Sequence, residues 1–594
     1  MCNDYIIVYN PPTYNIMNLM DHISTPLDII SYLTKSNISQ INKDNFIDFL
    51  YFDEQKHRKG MIETLGIECY SAIYIANQIR KSIQNFDIYL CDQIRKNIGE
   101  IISAKGFYPK GVFITAMSSN FPTAVAVSII LNYAKIPVII GGIHVSTSQE
   151  DVNIFIRKYC PYPEIVSQVV GPGDSNVIKN IVTDLISKRL SPNYLGETSI
   201  ENGVWGATDV YSLPPMKLYL LKRIPIIGKL LLKIIRINPI TPYLGCPYSC
   251  NFCSISTVPK KQRKFTTRTA DDFIEEIMSF QKKGINFLNR FFFFLPDNLL
   301  LGGKLLHEIL DKLISSEVKI NYAAQISIDI ASDKELLKKM RLSGATHFFI
   351  GLESLDIRNL EYIGKHVVKY IKKSGLTIEE YYRKQIKIIQ DFGISVHASF
   401  ILGLPYDIFK SKYNHTGLSI AEFCVKNHIG LQPCSLTDLP GSINFQQSQK
   451  NQQYLYGKQG TLNYLVSLCV TDLTEPNRIP PDSLYNSPLL VFYMAYEEVH
   501  KAANTPTALM NGLFMFYKSF LYPTKNGRNS LKERIIDSIW AFASQISVSQ
   551  YIDHGEMISY SLNGITGTVE RLYDIESNMG IKHMLKDFVY KFFR

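Results

Sequence analysis

The sequence predicts an α/β protein in three parts: an open parallel sheet, then six β/α repeats bent into a partial barrel, then a mostly helical remainder. Three observations carry this. The chain has 594 residues, too many for a single core. Up to about residue 445, short runs rich in Val, Ile and Phe alternate with longer stretches of helical periodicity, the pattern of parallel strands joined by helical crossovers. Beyond that point the alternation stops, and stretches such as LLVFYMAYEEVHKAAN and SLKERIIDSIWAFASQIS place apolar residues at helical spacing only. The boundaries that follow are 1–190 for the first sheet, 191–237 for a linker, 238–445 for the barrel and 446–594 for the helical part.

In the first part, YIIVYN (5–10) is an apolar run broken by NPP, a strand ending in a turn. FDIYL (86–90), VFITA (112–116), IPVIIGG (136–142) and VSQVVGPG (166–173) are further strands, with helices over GIECYSAIYIANQIRKS (66–82) and PTAVAVSIILNYAK (122–135). Residues 13–60 fit no alternation and read as an insertion after the first strand. Several strands end in small residues: Ser118 and Ser119, Gly141 and Gly142 followed by His144, Gly171 and Gly173. Ligands of open α/β sheets sit beyond these carboxyl ends, where glycine admits a large flat group or simply makes a tight turn.

The composition is that of a globular protein, 46% hydrophobic and 20% charged. A net charge of +10, from 63 basic and 53 acidic residues, is spread thinly, with no basic arm for nucleic acid. The N-terminus MCNDYIIVYNPPTYN has no basic start and long apolar core, so no signal peptide is expected, and no run of about 18 apolar residues predicts a membrane span. The linker stretch LYLLKRIPIIGKLLLKIIRI (218–237) is apolar yet basic. It suits packing between domains, or contact with a membrane surface.

Seven of the ten cysteines are scattered, which fits a reducing cytoplasm. The other three stand together in YLGCPYSCNFCS, as Cys246-x3-Cys250-x2-Cys253. No fourth ligand for a local zinc module is near: the next histidine is His307 and the next cysteine Cys424. A cubane iron–sulfur cluster takes four thiolates, so three would leave one iron open to a ligand. The strand NPITPYL feeds this loop, and five more strands follow, RFFFFLPDNL, INYAAQIS, THFFIGLES, SVHASFILGLP and GLQPCSL, separated by helical stretches. Residues at the carboxyl ends of such strands are the expected site.

CxxxCxxC with an aromatic before its last cysteine, set ahead of β/α repeats, resembles the radical S-adenosylmethionine superfamily. The stretches NPP, FITAMSSN, VIIGGIHVS and VVGPGD, with LGCPYSCNFC, KELLKKMRLSGATHFFIGLES, GISVHASFILGLP and DLPGS downstream, resemble its cobalamin-binding branch across most of residues 5–445. Two departures stand out. GPGD replaces an acidic GEGE-like turn, and His57-x-x-Gly60 follows Gln55 where the DxHxxG cobalamin signature has aspartate. By the resemblance, residues 1–190 are a Rossmann-like cobalamin-binding domain. Ser118, Ser119, Gly141, Gly142, His144, Gly171 and Gly173 are its candidate contacts.

The same resemblance implies that Cys246, Cys250 and Cys253 hold a 4Fe–4S cluster whose open iron takes S-adenosylmethionine. The cluster's electron would cleave that molecule to a 5′-deoxyadenosyl radical. Phe252, Asp297, Gln325, Ser327, Glu353, Ile401 and Gly403 are the expected S-adenosylmethionine contacts. The expected activity is methyl transfer to an unactivated carbon of a lipid or secondary metabolite, with an electron donor such as flavodoxin or ferredoxin. A radical rearrangement, cyclisation or oxidation without methyl transfer stays open, as do a non-catalytic cobalamin or iron–sulfur sensor and a zinc-binding structural protein. The aromatics of the last part, Tyr493, Phe514, Phe516 and Trp540, read as core.

Overall fold

The computed structural model describes residues 4–14, 25–52, 69–91, 97–197, 237–257, 266–281, 291–316, 320–402, 404–407, 409–411, 414–436 and 439–450, with Leu531, Ile535 and Ser538. His57, Gly60, Gly403, most of the linker and nearly all of the C-terminal part, with its four named aromatics, lie outside these residues.

The first sheet is parallel and six-stranded. Its strands are β1 (Tyr5–Tyr9), β2 (Asp87–Cys91), β3 (Gly111–Thr115), β4 (Val138–Gly141), β5 (Val166–Val170) and β6 (Asn193–Leu195), in the order β2-β1-β3-β4-β5-β6. The strand order reverses beside β1, so β1 and β3 diverge at a switch point, where such sheets open a crevice. Five of these strands match the expected runs; β6 falls where the linker was expected to begin.

Helices α1 (Pro26–Thr34), α2 (Tyr70–Ser82), α3 (Ile98–Lys105), α4 (Phe121–Tyr133), α5 (Ile143–Thr147), α6 (Glu150–Phe155) and α7 (Ser175–Ile186) cover the sheet. Helix α4 is apolar all round and buried along nearly its whole length, as a helix between two layers must be. Its second cover is the segment expected as an insertion. Helix α1 packs on α4, turning Ile29, Ile30 and Leu33 inward, and Phe46, Phe49 and Leu50 join the same core.

The second sheet is also parallel. Its strands β7 (Ile237–Ile240), β10 (Phe291–Phe294), β11 (Asn321–Gln325), β12 (Ala345–Glu353), β13 (Ser395–Leu402) and β16 (Gly430–Ser435) lie in sequential order. β7 and β16 are the two edges, so the six repeats make an open, partial barrel. Between them are two short ladders, β8 (Tyr243–Leu244) with β9 (Thr266–Thr267), and β14 (Phe409–Ser411) with β15 (Asn414–His415). The helices are α8 (Ala270–Gln281), α9 (Gly303–Ser315), α10 (Lys334–Ser343), α11 (Ile357–Tyr362), α12 (Val368–Ser374), α13 (Ile378–Asp391), α14 (Thr416–Lys426) and α15 (Ile443–Lys450).

Registers set which residues line the barrel. Phe349 pairs with Gln325 and His397, and Ser399 with Gly351 and Gln432. Cα partners in neighbouring strands share a face, so these residues point inward. Alternate residues such as Phe292, Phe294, Phe348 and Ile350 are buried under the helices. One hydrophobic cluster runs through both sheets. Among the described residues, no helix is long and apolar enough to cross a membrane.

Candidate active site

The cysteine loop leaves β8 at the carboxyl end of the barrel. Gly245, at φ +105°, makes the turn a side chain would strain. Asn251 anchors the loop, its side chain donating to the Tyr362 carbonyl at 2.7 Å and its N–H to the Ile363 carbonyl at 3.4 Å. The Cys253 N–H donates to the Cys250 carbonyl at 3.1 Å. All three cysteines are half-buried and outside any disulfide. Phe252, between Cys250 and Cys253, packs against the barrel core.

Among the described residues, no three His, Cys, Asp or Glu side chains converge on a single metal ion. Thiolates that each take a different iron of a cubane need not converge, and three thiols from one anchored loop fit that donor set. Burial pushes the Cys250 thiol up from its ordinary pKa, and the Lys365 ammonium pulls it back toward the thiolate a metal requires.

Lys365 is a residue sequence reasoning missed. Its Nζ bonds Glu353 Oε1 at 2.7 Å, with both side chains nearly buried. Burial works against the lysine's charge, but the Glu353 carboxylate outweighs it and holds the lysine above its ordinary pKa. Glu353 ends β12 with φ +67°, a left-handed conformation that costs a non-glycine residue energy. Gly351 makes room for it: a Cβ there would stand 2.2 Å from Glu353 Oε1. The strain, the gap and the ion pair all fix one carboxylate beside the cysteine loop. Glu353 therefore serves Lys365 as well as facing the site. No local signal marks Lys365, because it lies twelve residues on, across a strand-to-helix turn.

The other expected contacts separate by role. Asp297 follows β10 and is exposed, and desolvation by its surroundings pushes its pKa up to about 6. Gln325 is exposed at the end of β11. Ser327 is braced by Asn298, whose side chain accepts from the Ser327 N–H at 3.2 Å and donates to its hydroxyl at 3.3 Å. Asn298 thus holds the ends of β10 and β11 together. Ile401 is buried at the end of β13.

Lower in the barrel lie His347 and His397, their ring centroids 6.0 Å apart. Burial drives His397 down to about 4, and burial then His397 push His347 well below its ordinary value. Both rings are neutral at physiological pH.

At the carboxyl end of the first sheet, His144 is fully buried. Its Nδ1 meets Ser118 Oγ at 3.1 Å, its Nε2 meets Asp151 Oδ2 at 2.9 Å, and its ring stacks on Phe121. Both ring nitrogens are committed, so His144 and Ser118 support the surface from behind. Ser119 and Gly141 are half-buried and Gly142 is exposed. Gly142, at φ +114°, passes so close to Ala116 that a Cβ would lie 2.4 Å from its carbonyl oxygen. Gly171 and Gly173 answer to packing: side chains there would meet Gly196 and Ile75.

The two carboxyl ends meet. Helix α5, which follows β4, lies against the turn Ser254–Thr257, which follows Cys253. Tyr70 of α2 donates to Glu276 of α8 at 3.4 Å, Glu276 pairs with the buried Arg268, and Tyr70 and Tyr74 pack with Leu295 at the end of β10. A surface above the first sheet therefore looks across at the cysteine loop.

Residues 240–410 match the family model described as the radical SAM superfamily. An uncharacterised methyltransferase of Pyrococcus horikoshii is 27% identical over 348 residues, 56% of this chain and 68% of that protein. The bacteriochlorophyllide d C-8(2)-methyltransferase of Chlorobaculum tepidum is 25% identical over 347 residues, 57% of this chain and 68% of that one. A looser likeness, TM-score 0.47 at 12% identity over 76% of this chain and 79% of the other, is to the radical S-adenosylmethionine methyltransferase TsrM from Kitasatospora setae, solved with cobalamin and a [4Fe–4S] cluster bound.

Proposed function

Taking residues 240–410 as a radical SAM domain, we propose that the chain is a cobalamin-dependent radical S-adenosylmethionine enzyme that transfers a methyl group to an unactivated carbon of a small molecule or lipid. The observation that carries this is the apposition of α5 to the turn after Cys253. It sets a surface suited to a large flat cofactor opposite the loop suited to a cluster. Two relatives that share more than half of the chain are methyltransferases by name.

When bound, the cluster, S-adenosylmethionine and cobalamin would together supply a radical source and a methyl donor. The protein's share is binding, orientation and water exclusion. Cys246, Cys250 and Cys253 would hold the cluster, and the Lys365 ammonium would offset the negative charge three thiolates bring to one loop. The Glu353 carboxylate, fixed by Lys365, would receive the amino group of S-adenosylmethionine. Asp297 and Gln325 reach solvent at neighbouring strand ends and would meet its polar groups. Phe252 and Ile401 would exclude water. Ser119, Gly141 and the bare backbone at Gly142 would face cobalamin, with His144 bracing them. The inward faces of Phe349, Ser399 and Gln432 leave a half-open barrel in which a substrate would sit between the two.

Oxygen-free reconstitution with iron, sulfide and hydroxocobalamin tests this, comparing wild type with the Cys246→Ala, Cys250→Ala, Cys253→Ala triple variant. Wild type alone is expected to show cluster absorption, to keep cobalamin through desalting and to form 5′-deoxyadenosine from S-adenosylmethionine under reduction. A wild type without a cluster overturns the mechanism. A cluster with cobalamin lost on desalting overturns methyl transfer from cobalt. A substrate product heavier by one CH2 separates methylation from an isomerisation or a loss of hydrogens.

A further inference from the structure

Lys365 and His366 are adjacent, yet they take different partners. Lys365 reaches Glu353 on the barrel side. His366 bonds Asp329 through Nε2 and stacks flat on Tyr248, with centroids 4.9 Å apart and planes within 4°. Tyr248 lies between Cys246 and Cys250 and is 38% exposed. The stack therefore reaches from solvent into the cysteine loop.

The helix beside it is basic. Helix α12 turns Ile371 inward and exposes Lys369, Tyr370, Lys372 and Lys373. Lys369 Nζ stands 4.7 Å over the Tyr370 ring, on the helix that begins two residues after His366. Two acidic groups beside this patch are engaged: Asp329 with His366, and Glu361 with Lys372. What α12 itself turns outward is positive and aromatic, on a chain whose charge is otherwise spread thinly.

We propose that Tyr248, His366 and the lysines of α12 form the docking surface for an acidic one-electron donor protein. The inference rests on the cluster reading above. In that reading S-adenosylmethionine and substrate take the barrel interior, so a protein donor has to reach the loop where it is exposed, at Tyr248. The donor loses one electron, the cluster gains one, and no bond is made or broken. Opposite charge speeds such an encounter and weakens with salt.

The test uses the full-length protein reconstituted without oxygen, with flavodoxin hydroquinone as the probe and dithionite as the small reductant. Stopped-flow absorption follows cluster reduction in wild type and in the Lys369→Glu, Lys373→Glu double variant, which leaves the Lys372–Glu361 pair in place. The variant is expected to be reduced about tenfold more slowly by flavodoxin at low salt, the gap closing as salt rises, with unchanged cluster content and dithionite rate. Equal flavodoxin rates overturn the docking surface while leaving the cluster in place. If wild type holds no cluster, the cluster reading falls by itself. Calorimetric binding of flavodoxin then decides the surface: a Kd about tenfold weaker in the variant supports it, and an unchanged Kd overturns it.

Discussion

The carboxyl ends of the two sheets face each other but are built on opposite principles. At the first sheet the polar groups consume one another. Ser118, His144 and Asp151 form a closed buried chain, and what faces outward is small side chain, bare backbone and the apolar Met117. At the second sheet the groups with chemistry stay within reach of the opening: three thiols, the Asp297 carboxyl, Gln325 and a nearly buried Lys365–Glu353 pair. A surface with no reactive group suits a cofactor that brings its own chemistry. A loop with thiols and a placed countercharge builds a reactive centre. On the proposed reading one end is a platform and the other a reaction site, although both are the carboxyl ends of parallel sheets.

That contrast can be broken most forcefully at Lys365. Lys365→Met leaves the Glu353 carboxylate nearly buried without its partner and is expected to cost about 3 kcal/mol of stability, read from denaturant unfolding. Adding Glu353→Gln should restore most of it, since removing both charges removes the penalty. A double variant as unstable as the single would show that the pair is not the unit it looks to be.

His144→Ala sharpens the other end. It should cost about 2 kcal/mol through the cavity and the unpaired Asp151, and yet leave cobalamin retention within about twofold of wild type. Loss of cobalamin from a folded His144→Ala protein would give the first sheet a direct ligand and end its description as a platform.

The smallest expected effect is at Asp297. Its carboxyl is raised to about 6 in the folded chain, so the fold prefers the protonated form. Stability from this group is present below the unfolded value near 4 and lost as pH rises through about 6. Asp297→Asn should therefore match wild type in Tm near pH 4 and exceed it slightly at pH 7. A difference that does not grow with pH would mean the carboxyl is ordinarily solvated.

The alternation of strands and helices was readable because period-two and period-3.6 patterns are local: five strands of the first sheet and all six of the barrel fall on runs picked out in the sequence. The cysteine loop was readable for the same reason, its three thiols lying within eight positions. Residues 25–52 were less so. Their reason for being there is to cover α4, and a helix's second neighbour is not written in its own sequence. His144 follows a strand, but only the tertiary structure shows both its ring nitrogens engaged by Ser118 and Asp151.

By itself, then, the sequence determined the two parallel sheets, the thiol loop and its position after a strand, because each depends on residues a few places apart. The tertiary structure alone decided that Lys365 neutralises Glu353, that Tyr248 rests on His366, and that α5 lies against the turn after Cys253. Each of these joins side chains or turns brought together by the path of the chain through loops and crossovers, and no spacing along the sequence encodes that path.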